Sequence, residues 1–270
     1  MQARSHRLNG PPAPNNMSSF NPETWLCGPE TLDLSAGEVH VWKACLDQGK
    51  ERTQELRRTL SGEEEARASR FHFPEHRDRY VVSHGALRDI LRRYRWMVRE
   101  PLAFVTLSHG KPELSEEARG RKLRFNLSHS QSVALVAVAA DREVGVDVEY
   151  IREFAGWEDI ARQYFSVPER LALDNKPEPE RMAAFFNCWT RKEAYAKAKG
   201  MGLSIPLNSF STEVSADKLV RAVPGEISDT AWSLEDLNPG KSYAGALVVE
   251  GRLSRLTQWN WDPCTSSMKP

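Results

Sequence analysis

The sequence predicts an α+β protein of two similar-sized halves that meet near Tyr150. Three observations predict it. Helix-periodic and strand-alternating segments fall in separate runs, helices then strands, twice over, not in strict βαβ alternation. The strand candidates are linked by short, turn-rich connections, as antiparallel pairing requires. The chain has 270 residues, 40% hydrophobic and 27% charged, which is enough to bury a core without staples.

The elements follow in order. Residues 1–24 are rich in Pro, Asn and Ser and lack periodicity, so they read as a disordered lead. The first half then spans 25–150. Val39 to Leu46 reads as a strand, and Gln54 to Arg70 as a charged helix divided at Ser61-Gly62. Asp78 to Trp96 is a stronger helix, because Val81, Leu87, Leu91 and Tyr94 share one face at 3.6-residue spacing. Ala103 to Leu107, Leu123 to Leu127, Val133 to Ala140 and Val144 to Glu149 are short strands. Three of them follow one another closely, as in an antiparallel meander. The second half spans 151–262. It opens with a helical section from Trp157 to about Gly200, interrupted at Val167-Pro168 and at Pro177 and Pro179. Strands return at Phe210 to Val214, Ala231 to Leu234 and Tyr243 to Glu250, and 263–270 form a loose tail.

Composition excludes several classes. Lys plus Arg number 37 and Asp plus Glu number 37, so bulk charge does not suit a nucleic-acid coat. The longest apolar run, Val133 to Ala140, is far short of the roughly 20 residues a bilayer needs. The N-terminus has no apolar h-region, which argues against a secretory signal. Cys27, Cys45, Cys188 and Cys264 form no Cys-x-x-Cys, so they read as idle thiols in a reducing, cytoplasmic setting.

Chemistry concentrates in five segments. In Val144-Gly-Val-Asp-Val-Glu149, alternation puts the valines on one strand face and Asp147 and Glu149 on the other, about 7 Å apart. Two same-face carboxylates repel unless something positive lies between them, and a hard cation such as magnesium suits that pair. By itself the pattern equally describes a strand with one solvated acidic face. In Arg181 to Gly200, Met182, Phe185, Phe186, Trp189 and Ala196 form an apolar helix stripe. Glu193 falls inside it, Lys197 follows one turn later, and Arg191 points the opposite way into solvent. A carboxylate on a buried face needs a partner or a metal; an ordinary i, i+4 pair with Lys197 is the alternative. Phe125 to Ser132 joins two strand candidates, and its Ser128-His129-Ser130 turn offers hydroxyls, N–H groups and an imidazole to a phosphate, or is a plain polar turn. His109-Gly-Lys-Pro presents Lys111 from a rigid loop. Arg67 to Tyr80 carries arginines that form a basic patch or a salt-bridged helix pair. A magnesium-bound phosphate ester or pyrophosphate satisfies both the acidic and the basic sets.

The motifs Gly110-Lys-Pro112, Phe125-Asn-Leu-Ser-His-Ser130, Gly145-Val-Asp-Val-Glu149 and Trp189-Thr-Arg-Lys-Glu-Ala-Tyr-Ala-Lys197 resemble those of the 4′-phosphopantetheinyl transferases. With Arg70-Phe-His-Phe, Arg79-Tyr80 and Gly85-Ala-Leu-Arg88, the likeness is to the large, pseudo-dimeric Sfp type and runs from about Val39 to Val249. The resemblance implies two similar α/β halves with the active site in the cleft between them. It implies transfer of the 4′-phosphopantetheine arm of coenzyme A to a serine of an apo acyl or peptidyl carrier protein, releasing adenosine 3′,5′-bisphosphate, by a monomer. By motif position, Asp147, Glu149 and Glu193 would hold magnesium. Lys111, Ser128, His129 and Lys197 would contact coenzyme A, with Arg67 and Tyr80 as further contacts. Glu193 would be the general base, and Lys197 would neutralise the leaving group. One family position that is often basic is Glu64 here. The acidic trio also fits a metal-dependent phosphodiesterase or nucleotide hydrolase, and a non-catalytic coenzyme-A-binding protein is a third reading.

Overall fold

The computed structural model describes residues 25–95, 98–106, 110–118, 123–212, 221–222 and 231–261. The expected lead 1–24, the tail 263–270 and His109 lie outside these residues, as do Trp96, Leu107, Val214 and Cys264 at the edges of other expectations.

The strands are β1 (Leu26–Cys27), β2 (Glu38–Cys45), β3 (Phe104–Thr106), β4 (Pro112–Leu114), β5 (Leu123–Ser130), β6 (Val133–Ala140), β7 (Val144–Tyr150), β8 (Phe210–Ser211), β9 (Arg221–Ala222), β10 (Trp232–Leu237), β11 (Tyr243–Glu250) and β12 (Arg255–Asn260). The helices are α1 (Lys50–Arg57), α2 (Gly62–Ala68), α3 (Pro74–Arg92), α4 (Trp157–Tyr164), α5 (Val167–Asp174) and α6 (Glu178–Lys199). One sheet runs β1-β12-β2-β6-β5 and a second runs β10-β11-β7; β3-β4 and β8-β9 are two-stranded.

The sequence sets most helix ends. Ser61 breaks the charged helical stretch because its hydroxyl accepts Glu64 N–H while the Glu64 carboxylate accepts Ser61 N–H, a capping box that starts α2. The helical section is interrupted where expected, and Pro168 and Pro179 each sit in the first turn of a new helix. Gly200, at φ 67°, ends α6 in the left-handed region that glycine adopts freely.

Four layers result. α3 covers one face of the first sheet, with Val81, Leu87, Leu91 and Tyr94 packed against Trp42, Phe125 and Val136. The opposite face of that sheet meets the second sheet through Val39, Val41, Leu135, Val146, Val148 and Leu247. α6 covers the outer face of the second sheet, through Ala194, Ala198, Ala246 and Val248. An aromatic cluster of Phe165, Phe185 and Phe186 joins α4, α5 and α6. α6 lies so close to β7 that a Cβ at Gly145 would stand 2.1 Å from Ala194 O. Any side chain there would push α6 outward.

The structure corrects four expectations. The meander ends at β6: β5 and β6 pair, but β7 joins β11 in the other sheet. Two strands therefore cross the expected boundary near Tyr150, since β12 also returns to the first sheet beside β2. Ser128, His129 and Ser130 are not a turn; they continue β5, and the turn is Gln131-Ser132 with Gln131 at φ 50°. Cys27 is disulfide-bonded, not an idle thiol, whereas Cys188 keeps a free thiol. Among the described residues no helix is long and apolar enough to cross a membrane.

Candidate active site

The strand alternation read from Val144 to Glu149 holds. Its valines enter the core between the sheets, and its acidic face turns toward α6 and not toward solvent. Asp147 is 3% exposed. Its Oδ1 accepts from Lys197 Nζ at 2.6 Å and from Ser128 Oγ at 2.8 Å. Its Oδ2 is buried and has no hydrogen-bond partner among the described residues. A buried, unpartnered carboxylate oxygen is costly and calls for a ligand. Glu149, half-buried, accepts from Ser130 Oγ at 2.8 Å.

Glu193 projects from α6 into the same region, one turn before Lys197. Burial, followed by the charge of Asp147, pushes its carboxyl above the usual range, with Glu149 adding to the rise and Lys197 opposing it. Burial and then Asp147 raise Glu149 as well, against the hydrogen bond from Ser130. Repulsion from the neighbouring carboxylates thus adds to burial in disfavouring the charged forms of Glu149 and Glu193.

The opposite wall comes from α2, α3 and β5. The Arg67 guanidinium lies 5.8 Å from the centre of the Tyr80 ring, and the His84 ring packs on the other contact of Tyr80 at 4.0 Å. His129 is solvent-exposed by area, on the β5 face opposite Ser128. Desolvation by the surrounding cleft, then the charges of Lys197 and Arg67, hold its imidazolium below the usual range. Burial pushes His84 down to about 4, with His129 and Arg67 among the lesser causes. Both rings are therefore biased toward the neutral form, which offers a donor and an acceptor without charge.

The structure thus brings together Asp147, Glu149, Glu193, Lys197 and Ser128, with His129 within electrostatic reach of Lys197 and of Arg67, which packs on Tyr80. Lys111 stands apart from this group. Its amine donates to Glu143 at 3.0 Å and to Val144 O at 3.4 Å, so an anion there must compete with Glu143. Ser128 is saturated: its hydroxyl donates to Asp147 and accepts from Lys197 and Val148 N–H. A hydroxyl has one proton and two lone pairs, so contact with a ligand must displace one of these partners. Arg191 is not free in solvent but pairs with Asp236 at 2.7 Å. Glu64 is committed to Arg88 at 2.6 Å as well as to its own helix cap. His84 and Glu143 escaped the sequence reading, and Ser130 entered it only as part of the Ser128-His129-Ser130 turn. Ser130 carried a usable signal, since it stands two residues from Ser128 on a strand face.

Residues 143–248 match the model of the 4′-phosphopantetheinyl transferase superfamily, and residues 42–142 match that of the 4′-phosphopantetheinyl transferase N-terminal region. The chain is 38% identical over 241 residues to the 4′-phosphopantetheinyl transferase HetI of Nostoc sp., covering 89% of this chain and 96% of that protein. The chain belongs to the 4′-phosphopantetheinyl transferases. It is an enzyme of the large Sfp type. The 4′-phosphopantetheinyl transferase Sfp of Bacillus subtilis is 27% identical over 68% of this chain and 80% of its own length. A crystal structure of a holo-(acyl-carrier-protein) synthase from Bacillus anthracis, in complex with CoA (3′,5′-ADP), covers 41% of this transferase and 96% of its own chain, at TM-score 0.34 and 17% identity.

Proposed function

We propose that this transferase moves the 4′-phosphopantetheine arm of coenzyme A to a serine of an apo carrier protein, leaving a holo carrier and adenosine 3′,5′-bisphosphate, with magnesium at Asp147, Glu149 and Glu193. The supporting observation is the buried, unpartnered Oδ2 of Asp147 beside Lys197 and two carboxyls, Glu149 and Glu193, that sit above the usual range. Among the described residues no three His, Cys, Asp or Glu side chains already form a metal cage. The donor set nonetheless fits a hard cation, because magnesium takes one or two carboxylates and completes its shell with phosphate oxygens and water. Bound there, magnesium would offset charge on the pyrophosphate oxygens.

The remaining roles belong to the side chains. Lys197 holds positive charge next to Asp147, where the departing bisphosphate gains negative charge. Arg67, His129 and Tyr80 line the wall that receives the rest of coenzyme A, and Lys111 joins them once released from Glu143. Glu193 takes the proton of the incoming serine. The serine oxygen bonds to the phosphorus that bears the pantetheine arm, and the bridging oxygen leaves with the bisphosphate. A pocket of about 260 Å³ opens beside Glu149, floored by Phe154, Ile160, Phe186 and Trp189, and gives the arm or the carrier an apolar surface next to the reacting atoms. The proposal includes a cytoplasmic monomer, with both walls of the cleft supplied by one chain.

Mass spectrometry of an apo carrier protein incubated with enzyme, coenzyme A and magnesium tests this. A covalent phosphopantetheine increment, lost on chelation, is expected. Bisphosphate release without a carrier would instead favour a hydrolase, and ligand binding without transfer would favour a pure binder.

A further inference from the structure

β7 is an edge strand: β11 pairs along one side, and no strand pairs along the other among the described residues. Its outward N–H groups would be costly to leave unpaired. They donate to side chains of β5 at every second residue. Val146 N–H reaches Asn126 Oδ1 at 2.9 Å, Val148 N–H reaches Ser128 Oγ at 3.4 Å, and Tyr150 N–H reaches Ser130 Oγ at 3.1 Å. A ladder of side chains thus joins the two sheets where a backbone ladder is missing.

The two serines each keep a proton to give. Each donates it to the carboxylate of the residue before its backbone partner, Ser128 to Asp147 and Ser130 to Glu149, both at 2.8 Å. Asn126 has no such counterpart, because Gly145 precedes Val146. The ladder therefore closes the seam along its whole length but aims carboxylates only at its active-site end. Asp147 has a second anchor in Lys197, whereas Glu149, nearer the open end of the strand, is aimed by Ser130. A donor of this kind fixes the direction of a ligand carboxylate and tunes the metal it serves.

We propose that Ser130 is a positioning residue that orients Glu149 for the divalent cation; this rests on the reading of Asp147, Glu149 and Glu193 as the cation-holding set. The test is Mn²⁺ binding by electron paramagnetic resonance, with coenzyme A present, for the wild type, Ser130→Ala and Ser130→Thr. The alanine variant is expected to lose roughly 10–100-fold in Mn²⁺ affinity, and threonine, which keeps the hydroxyl, to recover most of it. Coenzyme A affinity in chelator and the thermal midpoint should stay near wild type, since the Tyr150 N–H is exposed and can turn to water. In transfer assays the Mg²⁺ requirement should rise while kcat at saturating Mg²⁺ holds. Wild-type Mn²⁺ affinity in Ser130→Ala would overturn the positioning role alone. So would a loss that threonine does not recover, or one that comes with loss of folding. Absence of Mn²⁺ binding in the wild type would overturn the cation-site reading and this inference with it.

Discussion

Lys192 and Glu193 are consecutive on α6, yet the helix turns them toward opposite surroundings. Lys192 is fully buried and fully paired. Its amine meets Glu169 at 2.7 Å and donates to Leu207 O and Phe210 O at 2.7 and 2.8 Å. Glu169 in turn accepts from Ser166 and from both N–H and hydroxyl of Thr212. Glu193 faces the cleft among like charges, with only Lys197 opposing them. Every lone pair and proton of the first region is spent on holding α5, α6 and residues 207–212 together. The second region keeps unspent capacity, down to an orphaned buried oxygen on Asp147. Side by side, they separate a charge kept for architecture from a charge kept for a ligand.

The largest effect should come from breaking the satisfied side. Lys192→Met leaves the Glu169 carboxylate buried without its counter-ion and two carbonyls without a donor, which should cost about 3–5 kcal/mol of stability. Urea denaturation measures it, and an unchanged midpoint would erase the contrast. Glu193→Gln should do the reverse. Removing one of three repelling carboxylates leaves the midpoint unchanged or higher, while carrier modification falls about 10²–10⁴-fold. A variant that transfers at near-normal rate would remove Glu193 from the chemistry. One that also unfolds would make the two faces of α6 alike.

Legibility followed the same division. Glu193 was visible because it breaks a local rule, a charge on a helix face whose period says buried, with Lys197 one turn on, and Asp147 and Glu149 because alternation sets two carboxylates on one strand face. The β7 alternation, the helix breaks at Ser61-Gly62 and Val167-Pro168 and the helix end near Gly200 were local too, and they stood. What escaped was long-range. Nothing within β5 to β7 says that β7 leaves its neighbours for β11, because that choice depends on a strand about 100 residues later. The serines of β5 looked like a turn because polar residues usually mark one. They are polar here because they replace a missing ladder. Lys192 entered only as a letter of the family motif, since its partner Glu169 lies 23 residues earlier on α5, and the Glu64 that stands at an often basic position pairs with Arg88.

The smallest effect is also the one that separates the two regions by sign. Burial alone would raise Glu169, but the charge and hydrogen bond of Lys192 and the N–H groups of Thr212 and Ser166 outweigh it, so its carboxyl sits below the usual range. A depressed carboxyl contributes stability above the unfolded value of about 4.3 and loses it as pH falls through the lower folded value. Glu149 and Glu193 sit above the usual range. Their folded state binds protons more tightly than the unfolded chain, so their contribution is complete below about 4.3 and is lost as pH rises through the higher folded values. In divalent-free buffer, stability should therefore climb as pH drops from neutrality toward the carboxylate range, then fall once Glu169 protonates. Glu193→Gln should flatten the climb and leave the acid fall in place. Millimolar Mg²⁺ should raise stability at pH 7, because a cation that binds only the folded site adds its binding free energy to folding. A pH profile with no climb, or one that Glu193→Gln leaves unaltered, would mean that the cleft carboxylates do not repel one another as their placement requires.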